Sequence, residues 1–141
     1  MIILLLVLLL ISVFFEGTVT TLPLVFICLV CLTIRMRSSA VFFIAFLAGI
    51  FLDTFALRPI GVTSIFLLTA VLLILLYQRK YEINSYPFVF IASFLGSFLY
   101  LLIFTYQNIF MMAGLSAVIA VLLFAIIRLI SNQFSLFHFE N

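Results

Sequence analysis

Apolar residues fill this chain in long runs, and its polar positions fall into a few narrow breaks between them. Runs of this kind read as membrane helices, at about 20 residues per crossing. The first covers residues 2–20 and carries Glu16 near its far end, before Thr20, Thr21 and Pro23 break it. Proline suits the first turn of a helix, so a second helix is expected over 23–34. That is short for a full crossing, so this helix either tilts little, thins the bilayer locally or stops short of it. A loop at Arg35-Met36-Arg37-Ser38-Ser39 precedes a third helix over 40–55. Leu57-Arg58-Pro59-Ile60-Gly61 makes a tight turn, and a fourth helix is drawn over 59–78. Arg79 to Pro87 forms the most polar loop, and a fifth helix follows over 88–106. Gln107 and Asn108 mark a turn into a sixth helix over 109–130, and Ser131 to Asn141 is read as a short tail. The expectation is an all-α membrane protein, one polytopic domain over residues 1–141 with six transmembrane helices. No internal repeat supports an inverted-repeat transporter.

Composition strengthens this reading. The chain is 69% hydrophobic and 7% charged, with mean hydropathy +1.58. That leaves too few polar groups to cover a water-facing surface. A net charge of +2 is too small to suggest nucleic-acid binding. Met1 to Phe15 has no positive leading region and no small-x-small cleavage site after it, so it is read as a retained first span. Residue 2 is Ile and the chain ends FHFEN, which matches no lipidation signal. The basic residues inform by position. With six helices, Arg35, Arg37, Arg79, Lys80 and Arg128 share one side and Arg58 lies on the other. Positive loops stay inside, so both termini are expected in the cytoplasm. Glu16, Asp53 and Arg58 then lie towards the external face. A five-helix reading, with the first two helices forming a hairpin that does not cross, splits the basic residues less cleanly.

The candidate chemistry centres on Ala48 to Ser64, AGIFLDTFALRPIGVTS. A carboxylate near the bilayer centre costs about 2.5–3.5 kcal/mol on insertion scales, so Asp53 needs compensation and is a functional-site candidate. It ends the third helix, where the helix dipole also opposes a negative charge. Arg58 lies five residues on and can fold back onto it. Either the two pair to pin the turn, or they contact a partner or ligand. Gly49, with Ala45 one turn before it, makes a small-residue face for close helix packing, and Ser93, Gly96 and Ser97, then Ala113 and Ala117, repeat the idea. Glu16 is either an interfacial residue or a second intramembrane acid. Cys28 and Cys31 form a C-x-x-C inside an apolar helix with no second pair and no histidine near, so they read as small packing residues rather than a redox or metal motif. His138, in Phe-His-Phe, reads as an interfacial tail residue. No Ser/His/Asp set, H-E-x-x-H or Gly-rich phosphate loop is present, so neither an enzyme nor a cofactor or metal site is expected.

Gly49-Ile-Phe-Leu-Asp53, followed by Arg58-Pro59-Ile60-Gly61, resembles the rod-shape-determining protein MreD family. That family carries G-x-x-x-D, a short turn often containing S/R-P-x-G, and an apolar helix closing on Tyr plus a basic residue. Tyr77-Gln78-Arg79 matches the closing element, and Glu16 matches an acidic residue or Gln late in the family's first helix. The specific likeness covers about residues 43–80. Where members often have a second glycine after the Asp, this chain has Ala56-Leu57. The resemblance implies a non-enzymatic subunit of the bacterial cell-elongation complex in the cytoplasmic membrane, supporting peptidoglycan synthesis. Its direct partner would be MreC, with RodA, a class B penicillin-binding transpeptidase and MreB reached through the complex. It also implies the six-helix fold of the substrate-binding subunits of energy-coupling-factor transporters. That fold supplies the alternative, a substrate-binding subunit of a vitamin-type transporter. Such subunits carry an Ala-x-x-x-Ala-like docking face on their first helix, which this chain lacks.

Overall fold

The computed structural model describes residues 2–18, 22–36, 38–81, 85–105 and 107–137, with side chains described as far as residue 133. Arg37 and His138 lie outside the described residues, as does the end of the expected first helix. The described chain is all-helical: α1 (Ile2–Thr18), α2 (Leu24–Met36), α3 (Ala40–Phe55), α4 (Val62–Lys80), α5 (Tyr86–Ile103) and α6 (Ile109–Phe137). Three stretches are long and apolar enough to cross a membrane: Val62–Lys80, Tyr86–Ile103 and Ile109–Gln133. α1, α2 and α3 are apolar but shorter.

α5 runs Tyr86–Ile103 where 88–106 was expected, and α2 and α4 each run two residues past their expected ends, to Met36 and Lys80. Two further helix ends differ for visible reasons. α4 does not start at Pro59. Gly61 takes a left-handed conformation with φ +103° as its N-cap, so the helix begins at Val62. Such a φ suits glycine, which has no Cβ to clash. α6 runs on through Phe137, so the residues read as a tail from Ser131 continue the helix. Ser131 also takes a 2.7 Å hydrogen bond from Arg35 at the far end of α2, which ties that end of α2 to α6.

α2 is the axis of the bundle. Every residue from Val25 to Ile34 is buried, and α2 packs on α1, α3, α4, α5 and α6. A helix that is apolar all round suits a packed interior or lipid; α2 lies in the packed interior, and at 13 residues it has no spare length outside the bundle. Cys28 and Cys31 are free thiols within this packed surface. Around α2, the most extensive pairings are α5 with α6 and α3 with α4.

The α3–α4 contact uses the small residues. A Cβ on Gly49 would lie 2.5 Å from the Ser64 Cα and 2.7 Å from its backbone nitrogen. The Ser64 hydroxyl donates to the Phe46 carbonyl at 3.2 Å, across the same contact. Ala45 is fully buried beside it. Ser93, Ser97, Ala113 and Ala117 are likewise fully buried. Small residues at such contacts let helix backbones approach closely.

Candidate functional site

Two buried carboxylates organise one end of the bundle. Asp53 is fully buried and Glu16 is 6% exposed. Each sits near the end of one helix and binds the start of the next.

Asp53 Oδ2 accepts from the backbone N–H of Gly61 at 2.8 Å and of Thr63 at 3.2 Å. Its Oδ1 accepts from the Thr63 hydroxyl. The first N–H groups of a helix have no partner within the helix, and that terminus carries partial positive charge. Asp53 therefore caps α4 through space. The unfavourable dipole at the end of α3 is met by the favourable one at the start of α4. The backbone N–H of Arg58 donates to the Asp53 carbonyl at 3.0 Å, which closes the turn from the α3 side.

Glu16 repeats the arrangement. Its Oε2 accepts from the backbone N–H of Val25 at 2.8 Å, in the first turn of α2. Its Oε1 accepts from the Tyr100 hydroxyl at 2.6 Å. Glu16 is thus a buried acid, enclosed by the bundle and held by Val25 and Tyr100. Both hairpins, α1–α2 and α3–α4, are closed by a carboxylate from their first helix on the amides of their second. This likeness is in geometry, since the acid types and flanking residues differ.

Arg58 is placed differently from its expected pairing with Asp53. Its guanidinium donates to Tyr100 Oη at 2.8 Å and lies 4.1 Å from the centre of the Phe104 ring. The Tyr100 hydroxyl therefore donates to Glu16 and accepts from Arg58, bridging acid and base across α1, the α3–α4 turn and α5. The Tyr100 ring is 1% exposed and packs on Phe66 and Phe104. Asp53 pins the turn, as expected of a structural acid, but does so with amides and a hydroxyl instead of a cation.

Sequence reasoning missed Tyr100 and Thr63. A tyrosine inside a run of Leu and Phe gives no sign of its partner, and Thr63 differs little from any threonine that opens a helix. The position of Thr63 two residues after Gly61 is the one usable signal, since helix starts favour hydrogen-bonding side chains.

The turn so held presents an apolar tip. Leu57 is 93% exposed and Ile60 73%. Leu57 has φ +52°, a left-handed conformation costing a branched residue about 1–2 kcal/mol. Pro59, also exposed, restricts the backbone between them. The geometry can hold and display a surface. Asp53 is turned to internal donors, and Glu16 and Arg58 are tied through Tyr100.

No family model matches this chain, and no curated protein or solved structure does.

Proposed function

We propose that this chain is a non-enzymatic scaffold subunit in the bacterial cytoplasmic membrane, of the MreD kind, that binds MreC and supports peptidoglycan synthesis during cell elongation. In this reading all six helices lie in the membrane with both termini in the cytoplasm. RodA, the class B transpeptidase and MreB are reached through the complex. The single observation that carries it is the α3–α4 turn. Asp53 is spent on holding backbone, and what it holds outward is an exposed apolar tip at Leu57 and Ile60. That is the arrangement of a docking element, and it coincides with the stretch that resembles the family. The central position of α2 supports counting α1–α3 among the membrane helices, because a short apolar helix wrapped by five others needs no water-facing side.

The test is complementation. In rod-shaped cells depleted of their own MreD, this chain should restore the rod form. Uptake of a labelled vitamin without rod rescue would favour the transporter subunit instead.

A further inference from the structure

α3 and α4 touch at Gly49 and Ser64 but leave a groove at their other end. Its volume is about 490 Å³, and Phe42, Leu72, Leu75 and Leu76 line it, with Ser39 and Arg79 at its polar end. Leu72 and Leu76 are about half exposed, so the groove opens onto the apolar outside of the bundle. Its volume falls within the range of about 300–1,000 Å³ typical of small-ligand sites.

The basic side chains of the chain are engaged unevenly. Arg35 bonds Ser131, Arg58 bonds Tyr100, Lys80 lies over Tyr81, and Arg128 lies over Tyr86. Among the described residues, Arg79 is the basic side chain without an internal partner, and it stands at the groove's polar end. Gln78, also in the lining, donates to the Thr33 carbonyl at 3.2 Å and so holds that end of α4 against α2.

We propose that this groove binds one anionic glycerophospholipid, with its phosphodiester on Arg79 and an acyl chain along Phe42, Leu72, Leu75 and Leu76. The groove is apolar where a chain would lie and cationic where a headgroup would lie. Guanidinium groups match phosphate oxygens in paired hydrogen bonds. Basic residues where a membrane helix meets the interface are suited to anionic lipids. The site needs the chain to be membrane-embedded, and it does not depend on MreC or on the scaffold reading.

The experiment uses the full chain in neutral detergent, titrated with phosphatidylglycerol or with phosphatidylcholine of the same acyl chains, and read by native mass spectrometry. Wild type should retain one phosphatidylglycerol at a concentration at least fivefold below that needed for phosphatidylcholine. Arg79→Gln should abolish that preference. Lys80→Gln should keep it, and Leu75→Trp, which fills the groove, should weaken retention of both lipids. Absence of a headgroup preference in wild type overturns the proposal, as does its survival in Arg79→Gln or its equal loss in Lys80→Gln. Protection of wild type against heating by phosphatidylglycerol over phosphatidylcholine gives a second readout that needs no variant.

Discussion

Tyr100 donates its hydroxyl proton to Glu16 at 2.6 Å across 84 positions of sequence, and so ties α5 to α1. These two helices are not among the closely packed pairs of the bundle. The same hydroxyl accepts from Arg58, so a single phenol oxygen joins three parts of the chain.

Tyr100→Phe keeps the ring and removes that oxygen. Hydrogen bonds between membrane helices average about 0.6 kcal/mol, with a maximum near 1.7. A bond to a charged group is worth about 1.5–3 kcal/mol in proteins generally. This one faces a buried acid and a guanidinium, so the upper membrane value, about 1.5 kcal/mol or somewhat more, is expected. The thermal unfolding midpoint in detergent should fall accordingly. Glu16→Gln combined with Tyr100→Phe should cost less than the sum of the two, because both act on one bond. Strict additivity would show that the pair is not coupled.

Asp53→Ala removes three acceptor contacts at once. Loss of a cap costs about 0.5–2 kcal/mol, and an orphaned buried hydroxyl about 1–3, so a loss of roughly 2–4 is expected. Asp53→Asn keeps an acceptor oxygen and should lose less. An ion pair with Arg58 would have predicted rescue in the double variant, since removing both partners of a buried pair is milder than removing one. Because Asp53 binds amides and Thr63, Asp53→Ala with Arg58→Ala should instead be no more stable than Asp53→Ala alone. Folded yield and thermal midpoint of the three variants, measured together, decide this.

Gly49→Ala should destabilise, because its methyl group would meet the backbone of Ser64 and backbone yields poorly. Overpacking of this kind costs about 1–3 kcal/mol. Phe43→Leu is the matched control, since Phe43 is well exposed on the outer face of α3. Phe42, one residue earlier, is a poorer control because it packs against the core and lines the α3–α4 groove. Equal folded yields for Gly49→Ala and Phe43→Leu would contradict the close contact.

The two left-handed residues of the turn should respond in opposite ways. Gly61→Ala places a Cβ on a backbone at φ +103° and should destabilise by about 1 kcal/mol or more. Leu57→Gly relieves a strained φ of +52° at the entropic cost of a more flexible unfolded chain, about 0.5–1 kcal/mol, and should be neutral or slightly stabilising. Thermal midpoints of the pair check this.

The helices were legible because their breaks are local: Pro23, the Arg58-Pro59-Ile60-Gly61 turn and Asn108 act on the chain where they stand. Glu16 and Asp53 were legible as anomalies, since an acid inside an apolar run has a known cost wherever it goes. Their partners were not. Tyr100 is distant in sequence, and backbone amides carry no sequence signature at all. The central place of α2 was equally hidden, because an all-round apolar helix looks the same whether lipid or five other helices surround it. The end of α6 was set by helix continuation past Ser131, where polar residues had suggested a tail.

Topology offers a check on the six-span proposal. A cysteine introduced at Lys80 should resist an impermeant thiol reagent in intact cells, and one at Leu57 should react when no partner covers it. Cys28 and Cys31 are buried and should contribute little background. Labelling at Lys80 from outside would overturn the proposed orientation.

In the proposed reading the turn held by Asp53 docks MreC. Its most direct test is recovery of MreC with the affinity-tagged chain, normalised to the chain's own level in the membrane. Wild type should recover MreC. Leu57→Ser combined with Ile60→Ser should accumulate normally, because both side chains are exposed, yet recover at least tenfold less MreC. Recovery equal to wild type from that double variant, or no MreC recovered with wild type, would contradict the account.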